Sequence, residues 1–433
     1  MAGFVNRLMS NDSGFDQSLK RLVSDRSSGK DSGVVKVVEE IIDSIRREGD
    51  ESLLRYTNDL DLRQVSKPEE LEIKSQGAIN SIPLALRDAL ETSARRIRRF
   101  HERQKESSWE FTDELGVVLG QKITPLESVG IYVPGGTASY PSSVLMNAIP
   151  ASVAGVTEIV MVVPTPRGII ADSVLAAAAI CGINRVFSVG GAQAIAALAF
   201  GTKTIPKVDK IVGPGNIFVA EAKRKLFGTV GVDMVAGPSE IVIVCDGSTN
   251  PEWIAMDLMA QAEHDEKAQA ILIGIDKLFL DEVEKILKKL VKTLPRSDII
   301  RKSLRDNGAL IQTKDLNSAI DISNLIAPEH LEISVENPRR FLPEIKHAGA
   351  IFLGSYTPES FGDYCAGPNH VLPTSGSARF SSPLSVFDFQ KRTSIIECQV
   401  GNASKIGNIA AEVARAEGLM AHERSALMRT GSK

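Results

Sequence analysis

Apolar residues recur every three to four positions in VVKVVEEIIDSIRREGD, residues 34–50, and the run stops at Gly49. The segment LALRDALETSARRIRRFHERQ, residues 84–104, repeats the pattern. Both predict amphipathic helices, so residues 33–103 read as helical. The texture changes near residue 128. SVGIYV, EIVMVVP, RVFSV and KIV are short apolar runs rich in β-branched residues, and each is followed by a loop and a small-residue helix. The helices are VLMNAIPASVAGV, residues 170–181, AQAIAALAF and IFVAEAKRKLF. Strands recurring about every 25 to 30 residues with helices between them predict a parallel sheet covered on both faces. EIVIVCD (240–246) and AILIGI (270–275), separated by the helix PEWIAMDLMAQAEHD, start a second such unit that runs to about residue 380.

The expected fold class is therefore α/β, with two parallel-sheet, incomplete Rossmann-like domains. Residues 1–30, polar and mixed, read as an N-terminal arm. Residues 31–128 together with 239–380 are expected to form the first domain, and 129–238 the second. Residues 381–433, with SPLSVFDFQKRTSIIECQ and NIAAEVARAEGLMAHERSALMR, read as a mostly helical tail with no sheet unit of its own.

The chain has 433 residues with a formal net charge of −4, and only 5% are aromatic. That length supports two or three domains with substantial cores. The absence of a long basic block argues against a nucleic-acid partner. No apolar stretch approaches the roughly 18 residues of a membrane span. The start, MAGFVNRLMSNDSGF, has no signal-peptide pattern. Cys181, Cys245, Cys365 and Cys398 are scattered without a CxxC pair. Together these features predict a cytoplasmic location with reduced thiols.

Three strands of the 129–238 unit run into glycine turns: Tyr132-Val-Pro-Gly-Gly, Val189-Gly-Gly-Ala-Gln193 and Val212-Gly-Pro-Gly-Asn216. Ligands bind beyond the carboxyl ends of such strands, and helix N-termini favour anions. None of the turns is GxGxxG, so they read either as a phosphate or nucleotide site or as turns that need positive φ. The chain has six histidines. His264 follows Gln261 by three residues at the end of a helix that Asn250 and Pro251 start, so the two face the same way. Glu329–His330 follow Pro328, which biases Ala327 toward extended backbone. Asp363 and His370 lie in the turn-rich FGDYCAGPNHVLPT, and Glu417 and His422 in AEGLMAHE. Aspartate, histidines and an amide oxygen from distant segments make a plausible catalytic zinc set. A surface or core polar pair is the plain alternative for Gln261 and His264. No HExxH occurs, and His101 and His347 read as structural or solvated.

DMVAGPSEIVIV, QAEHD, APEHLEI, GDYCAGPNHVLPT and AEGLMAHE occur here in the order and spacing of histidinol dehydrogenases, and the resemblance covers nearly the whole chain. It implies oxidation of L-histidinol to L-histidine in two steps with two NAD+, at the end of histidine biosynthesis. It implies zinc on Gln261, His264, Asp363 and His422, and acid–base work by Glu329 and His330. It places Ser239, Gln261, His264, His330, Asp363, Glu417 and His422 around substrate, and Tyr132, Gln193 and Asn216 at NAD. It also implies an intertwined homodimer whose tail crosses to the partner's site. The choice of NAD over NADP rests on the resemblance alone.

The chemistry suits these residue types. Hydride leaves a carbinol carbon only as its proton is removed, and a histidine with a pKa near about 6.5 can take that proton. The aldehyde step needs water, which Glu329 can deprotonate. Glu417 can pair with a cationic substrate group. Cys365 offers a thiohemiacetal alternative, but the resemblance gives that position no role. The competing functional readings are a related dehydrogenase of another polar alcohol such as a hydroxysulfonate, a metal-binding protein without activity, and a zinc hydrolase.

Overall fold

The computed structural model describes residues 3–24, 32–135, 139–234 and 237–431. Parts of the expected N-terminal arm, of the loop after SVGIYV and of DMVAGPSE lie outside them. Two six-stranded sheets organise the chain. The first has Ser128–Tyr132 between Glu158–Val162 and Lys210–Val212, all parallel. Arg185–Phe187 and Gly231–Val232 flank these in parallel, and Glu72–Ile73 closes one edge antiparallel to Arg185–Phe187. The second is wholly parallel. Glu240–Cys245 lies between Gln269–Gly274 and His330–Ser334, with Ala309–Gln312, Asn6–Met9 and Ala350–Leu353 outside them. Every residue of Ser128–Tyr132, Glu240–Cys245, Gln269–Gly274 and His330–Ser334 is buried. Continuous burial is what helices on both faces impose, and it explains the unbroken apolar runs VGIY, IVIV and AILI; in His330–Ser334 the buried positions include His330 and Glu332.

Three expectations need correction. The N-terminal arm contributes a strand, Asn6–Met9, paired with Ala309–Gln312, and a helix, Phe15–Ser24, that buries Phe15 and Leu19. A four-residue edge strand that is mostly exposed carries too little alternation to be read. The helices from residue 32 to 101 do not join the 239–380 unit. Val38, Ile41, Ile45 and Leu53 pack with Val160, Phe187 and Ala194, while Leu90 and Ile97 pack with Val129, Ile131 and Leu145. Amphipathic spacing shows that a helix face is buried but not which sheet covers it. The tail is helical in its second part, but its first part departs from expectation. Gln390–Glu397 is a strand, antiparallel to Val118–Pro125, which also pairs with Trp109–Thr112. Its residues are largely exposed, so no buried face marked it in the sequence. Two helices, Val400–Ala416 and Met420–Leu427, follow as expected. Among the described residues no helix is long and apolar enough to cross a membrane.

Candidate active site

A cavity of about 960 Å³ is walled by segments of both parallel sheets. From the second sheet come Ser239, Gln261, His264, Glu329, His330, Glu359, Asp363 and His370, and from the first come Gly213, Gly215, Asn216, Lys223 and Asp233. Asn250 caps the helix Pro251–Ala262 by accepting the Glu252 N–H at 2.8 Å. That helix delivers Gln261, fully buried, and the turn after it delivers His264 at the open rim. The pair therefore faces one cavity, as its spacing predicts.

Glu329 precedes and His330 starts the strand beside Glu240–Cys245, and Glu240 ties both down through its backbone. Its N–H donates to Glu329 Oε2 at 2.9 Å, and its carbonyl lies 3.0 Å from His330 Nδ1. A carbonyl only accepts, so Nδ1 carries the proton in the neutral ring and Nε2 is left with a lone pair. Nε2 is buried and has no hydrogen-bond partner. Burial pushes His330 down to about 3 and His370 down to about 4, which keeps both rings neutral near pH 7. Burial also raises the carboxyls. Asp363 is pushed up to about 7, and Glu329 and Glu359 stand well above the usual carboxylate range, with neighbouring acids adding to the shift. Ala327 departs from expectation: it is left-handed at φ 51 and ψ 63 instead of extended. Its N–H closes the helix Leu316–Ile326 on Ser323 O at 2.8 Å, and the residue is fully buried. A non-glycine residue held there, one step before Pro328, is strain stored beside Glu329 and His330.

Glu359 escaped the sequence reading. It starts the helix Glu359–Tyr364, one turn before Asp363, and that i,i+4 spacing was the available signal. Its Oε1 lies 3.3 Å from His330 Nδ1, and Asp363 Oδ1 lies 3.7 Å from His330 Nε2. One ligand atom from each of His330, Glu359 and Asp363 falls within 4.8 Å of the others. In the amide orientation that satisfies its surroundings, the Gln261 nitrogen donates to the Glu359 carboxylate and its oxygen accepts the Glu240 N–H at 2.6 Å. The buried acids of raised pKa around the Gln261 amide suit a divalent cation, whose charge would offset the crowding of carboxylates, and the bare His330 nitrogen beside them keeps its lone pair.

Not every expected residue reaches this cavity. Asn216 lines it while accepting the N–H groups of Phe218 and Val219 at 3.1 and 3.2 Å. Tyr132 and Gln193 lie behind the wall, each nearly fully buried. The Tyr132 hydroxyl accepts the Gly191 N–H at 3.1 Å, and burial pushes it up to about 12. Gln193 Oε1 is buried without a partner, an unsatisfied acceptor beside the glycine turn. A Cβ on Gly190 would sit 2.3 Å from Pro164 Cβ, so packing alone already requires that glycine. Glu417 and His422 lie on exposed stretches of the tail and do not line the cavity of their own chain. Cys365 also stays out of the wall. Its carbonyl accepts from Arg96 Nε at 2.6 Å, which anchors the Asp363 loop to a helix of the other sheet.

The family model for histidinol dehydrogenase matches residues 24–430. A histidinol dehydrogenase from Hydrogenovibrio crunogenus is 55% identical over 428 residues, 98% of this chain and 99% of that one. One from Pseudomonas putida is 57% identical over 425 residues, 98% of this chain and 96% of the relative. The crystal structure of histidinol dehydrogenase from Elizabethkingia anophelis superposes with a TM-score of 0.93 at 34% identity, covering 99% of this chain and 98% of that one. A more distant likeness of fold alone, at 12% identity and a TM-score of 0.50, extends to an acetylating aldehyde dehydrogenase from Geobacillus thermoglucosidasius. The chain belongs to the histidinol dehydrogenase family, oxidoreductases of histidine biosynthesis.

Proposed function

We propose that the protein oxidises L-histidinol to L-histidine through L-histidinal, using zinc and two NAD+, as a cytoplasmic homodimer. The observation that carries this reading is the neutral His330, with Nδ1 fixed on the Glu240 carbonyl and Nε2 bare, beside Glu329 and Asp363 in one cavity. Zinc held by Gln261, His264, Asp363 and His422 of the partner subunit would bind the substrate's amine and imidazole and fix the carbinol carbon. NAD along the Tyr132, Gln193 and Asn216 turns would accept hydride.

In the first oxidation His330 Nε2 takes the hydroxyl proton as the carbon gives up hydride, and the alcohol becomes the aldehyde. In the second, Glu329 takes a proton from water as that water adds to the aldehyde carbon. The adduct then loses hydride and gives its hydroxyl proton to His330, which has passed its first proton to solvent, and the product is the carboxylate. Burial raises the Glu329 carboxyl, which makes its ionised form the stronger base. Ser239 and the partner-supplied Glu417 would complete the substrate contacts. The tail's exposed Val400, Ile409, Val413 and Met420 supply apolar area for the subunit contact that the crossing needs.

The deciding measurement is NADH formed per L-histidinol consumed, with and without chelator. Two NADH, lost with chelator and restored by zinc, support the reading. One NADH with free aldehyde removes the role given to Glu329. No turnover on histidinol, with turnover on another polar alcohol such as a hydroxysulfonate, moves the assignment to that substrate class.

A further inference from the structure

Lys223 and Asp233 form an ion pair in the cavity wall with side chains 4% and 1% exposed. Lys223 belongs to the helix Ile217–Leu226, and Asp233 follows the strand Gly231–Val232. Burying two charges is costly unless their remaining donors and acceptors are also engaged. Here both converge on one residue. Lys223 Nζ donates to the Gly213 carbonyl at 2.7 Å, and Asp233 Oδ2 accepts the Gly213 N–H at 2.8 Å. Gly213 is thus gripped by both of its backbone polar groups. It stands at φ +108, and a Cβ there would lie 2.1 Å from the Tyr132 carbonyl oxygen. The grip fixes the start of the Gly213–Asn216 turn against the Tyr132 strand end, which links two of the three expected cofactor turns.

We infer that Lys223 and Asp233 are positioning residues for the nicotinamide dinucleotide, holding the Gly213–Asn216 turn in its binding geometry. This rests on the cofactor reading above. The two charges cancel, so the pair adds little field of its own, and its contribution is geometric. Lys223 reaches back past the start of its own helix, where the dipole disfavours a cation, and Asp233 offsets that cost. A pair serving stability alone could be replaced by apolar side chains at little cost, whereas a pair that aims Gly213 could not be replaced without releasing the turn.

The test is NADH fluorescence titration of the wild-type protein and of the Lys223→Met/Asp233→Leu double variant, with melting temperature, bound zinc and the histidinol KM measured in parallel. The expected result is a double variant that keeps its fold, its zinc and its histidinol KM but binds NADH about tenfold more weakly, since loss of aim at a preorganised site is costly. The loss should not change with ionic strength, because no net charge is removed. If wild type binds NADH and the double variant binds equally well, the pair is structural and the inference is overturned. If wild type does not bind NADH, the cofactor reading fails and takes the inference with it. Should the double variant not fold, Asp233→Asn decides. It keeps one side-chain acceptor for Gly213 but loses the charge that holds Lys223, so NADH binding should weaken about threefold, and unchanged binding overturns the inference.

Discussion

The two sheets meet at one cavity with opposite equipment. The Glu240–Cys245 sheet brings ionisable groups whose pKa values burial has moved, namely His330, Glu329, Glu359 and Asp363. The Ser128–Tyr132 sheet brings the Gly213–Asn216 turn and an ion pair that neutralises itself. Similar layers of parallel strands and helices thus present buried acids and histidines on one side and close-packed glycine backbone on the other, which the proposed function assigns to proton chemistry and to cofactor docking. The difference lies in what sits at the strand ends: His330 starts its strand, Glu329 precedes it and Glu359 and Asp363 ride a short helix, whereas Lys210–Val212 runs straight into the Gly213–Asn216 turn.

If that division is right, substitutions on the first side should change turnover and metal, and those on the second should change cofactor affinity. His330→Asn should have the largest effect, slowing both oxidations by about 10²–10⁴-fold with NADH binding unchanged. Steady-state rates on histidinol and on histidinal check this, and a weakened NADH Kd would blur the division. His422→Ala should lose zinc by metal analysis. Mixed dimers with His330→Asn chains should regain activity, because one site then combines an intact body with an intact tail. An absence of recovery counts against the crossing tail. Glu329→Gln should slow the aldehyde step about tenfold or more and the alcohol step less, whereas equal losses would remove its role in activating water.

A fourth test concerns pH. Asp363 is raised from an ordinary value near 3.8 to about 7, so in metal-free protein its contribution to stability is present below about pH 4 and lost as pH rises through 7. Metal-free wild type should therefore lose melting temperature over that range relative to metal-free Asp363→Asn, and zinc should reduce the wild-type loss. Parallel curves for the two metal-free proteins would contradict the buried-acid picture. The smallest effect belongs to Tyr132→Phe. It removes the acceptor of the Gly191 N–H and should cost about 1–3 kcal/mol of stability with a few-fold weaker NADH binding. A change in turnover with affinity intact would breach the division from the other side.

The layers, and most of the ionisable residues that face the cavity, are legible in the amino-acid sequence. Strands covered on both faces are mostly apolar, so SVGIYV, EIVMVV and EIVIVC are readable as runs, whereas HLEIS, with His330 and Glu332, is not. Asn250–Pro251 marked a helix start, and the three-residue step from Gln261 to His264 set both on one side. Other features were settled by tertiary structure. Which sheet takes the helices at 32–101 depends on side-chain fit between distant segments, which periodicity does not encode. Asn6–Met9 and Gln390–Glu397 are strands only because partners 303 and 265 to 279 residues away in sequence offer them edges. Ala327 adopts a backbone that its following proline disfavours because burial and the Ser323 bond hold it there. Glu359 joined the site through the fold, which set its carboxylate against His330 and Gln261. A carboxylate's chemistry is set by its burial and neighbours, and neither is visible until distant parts of the chain are packed together.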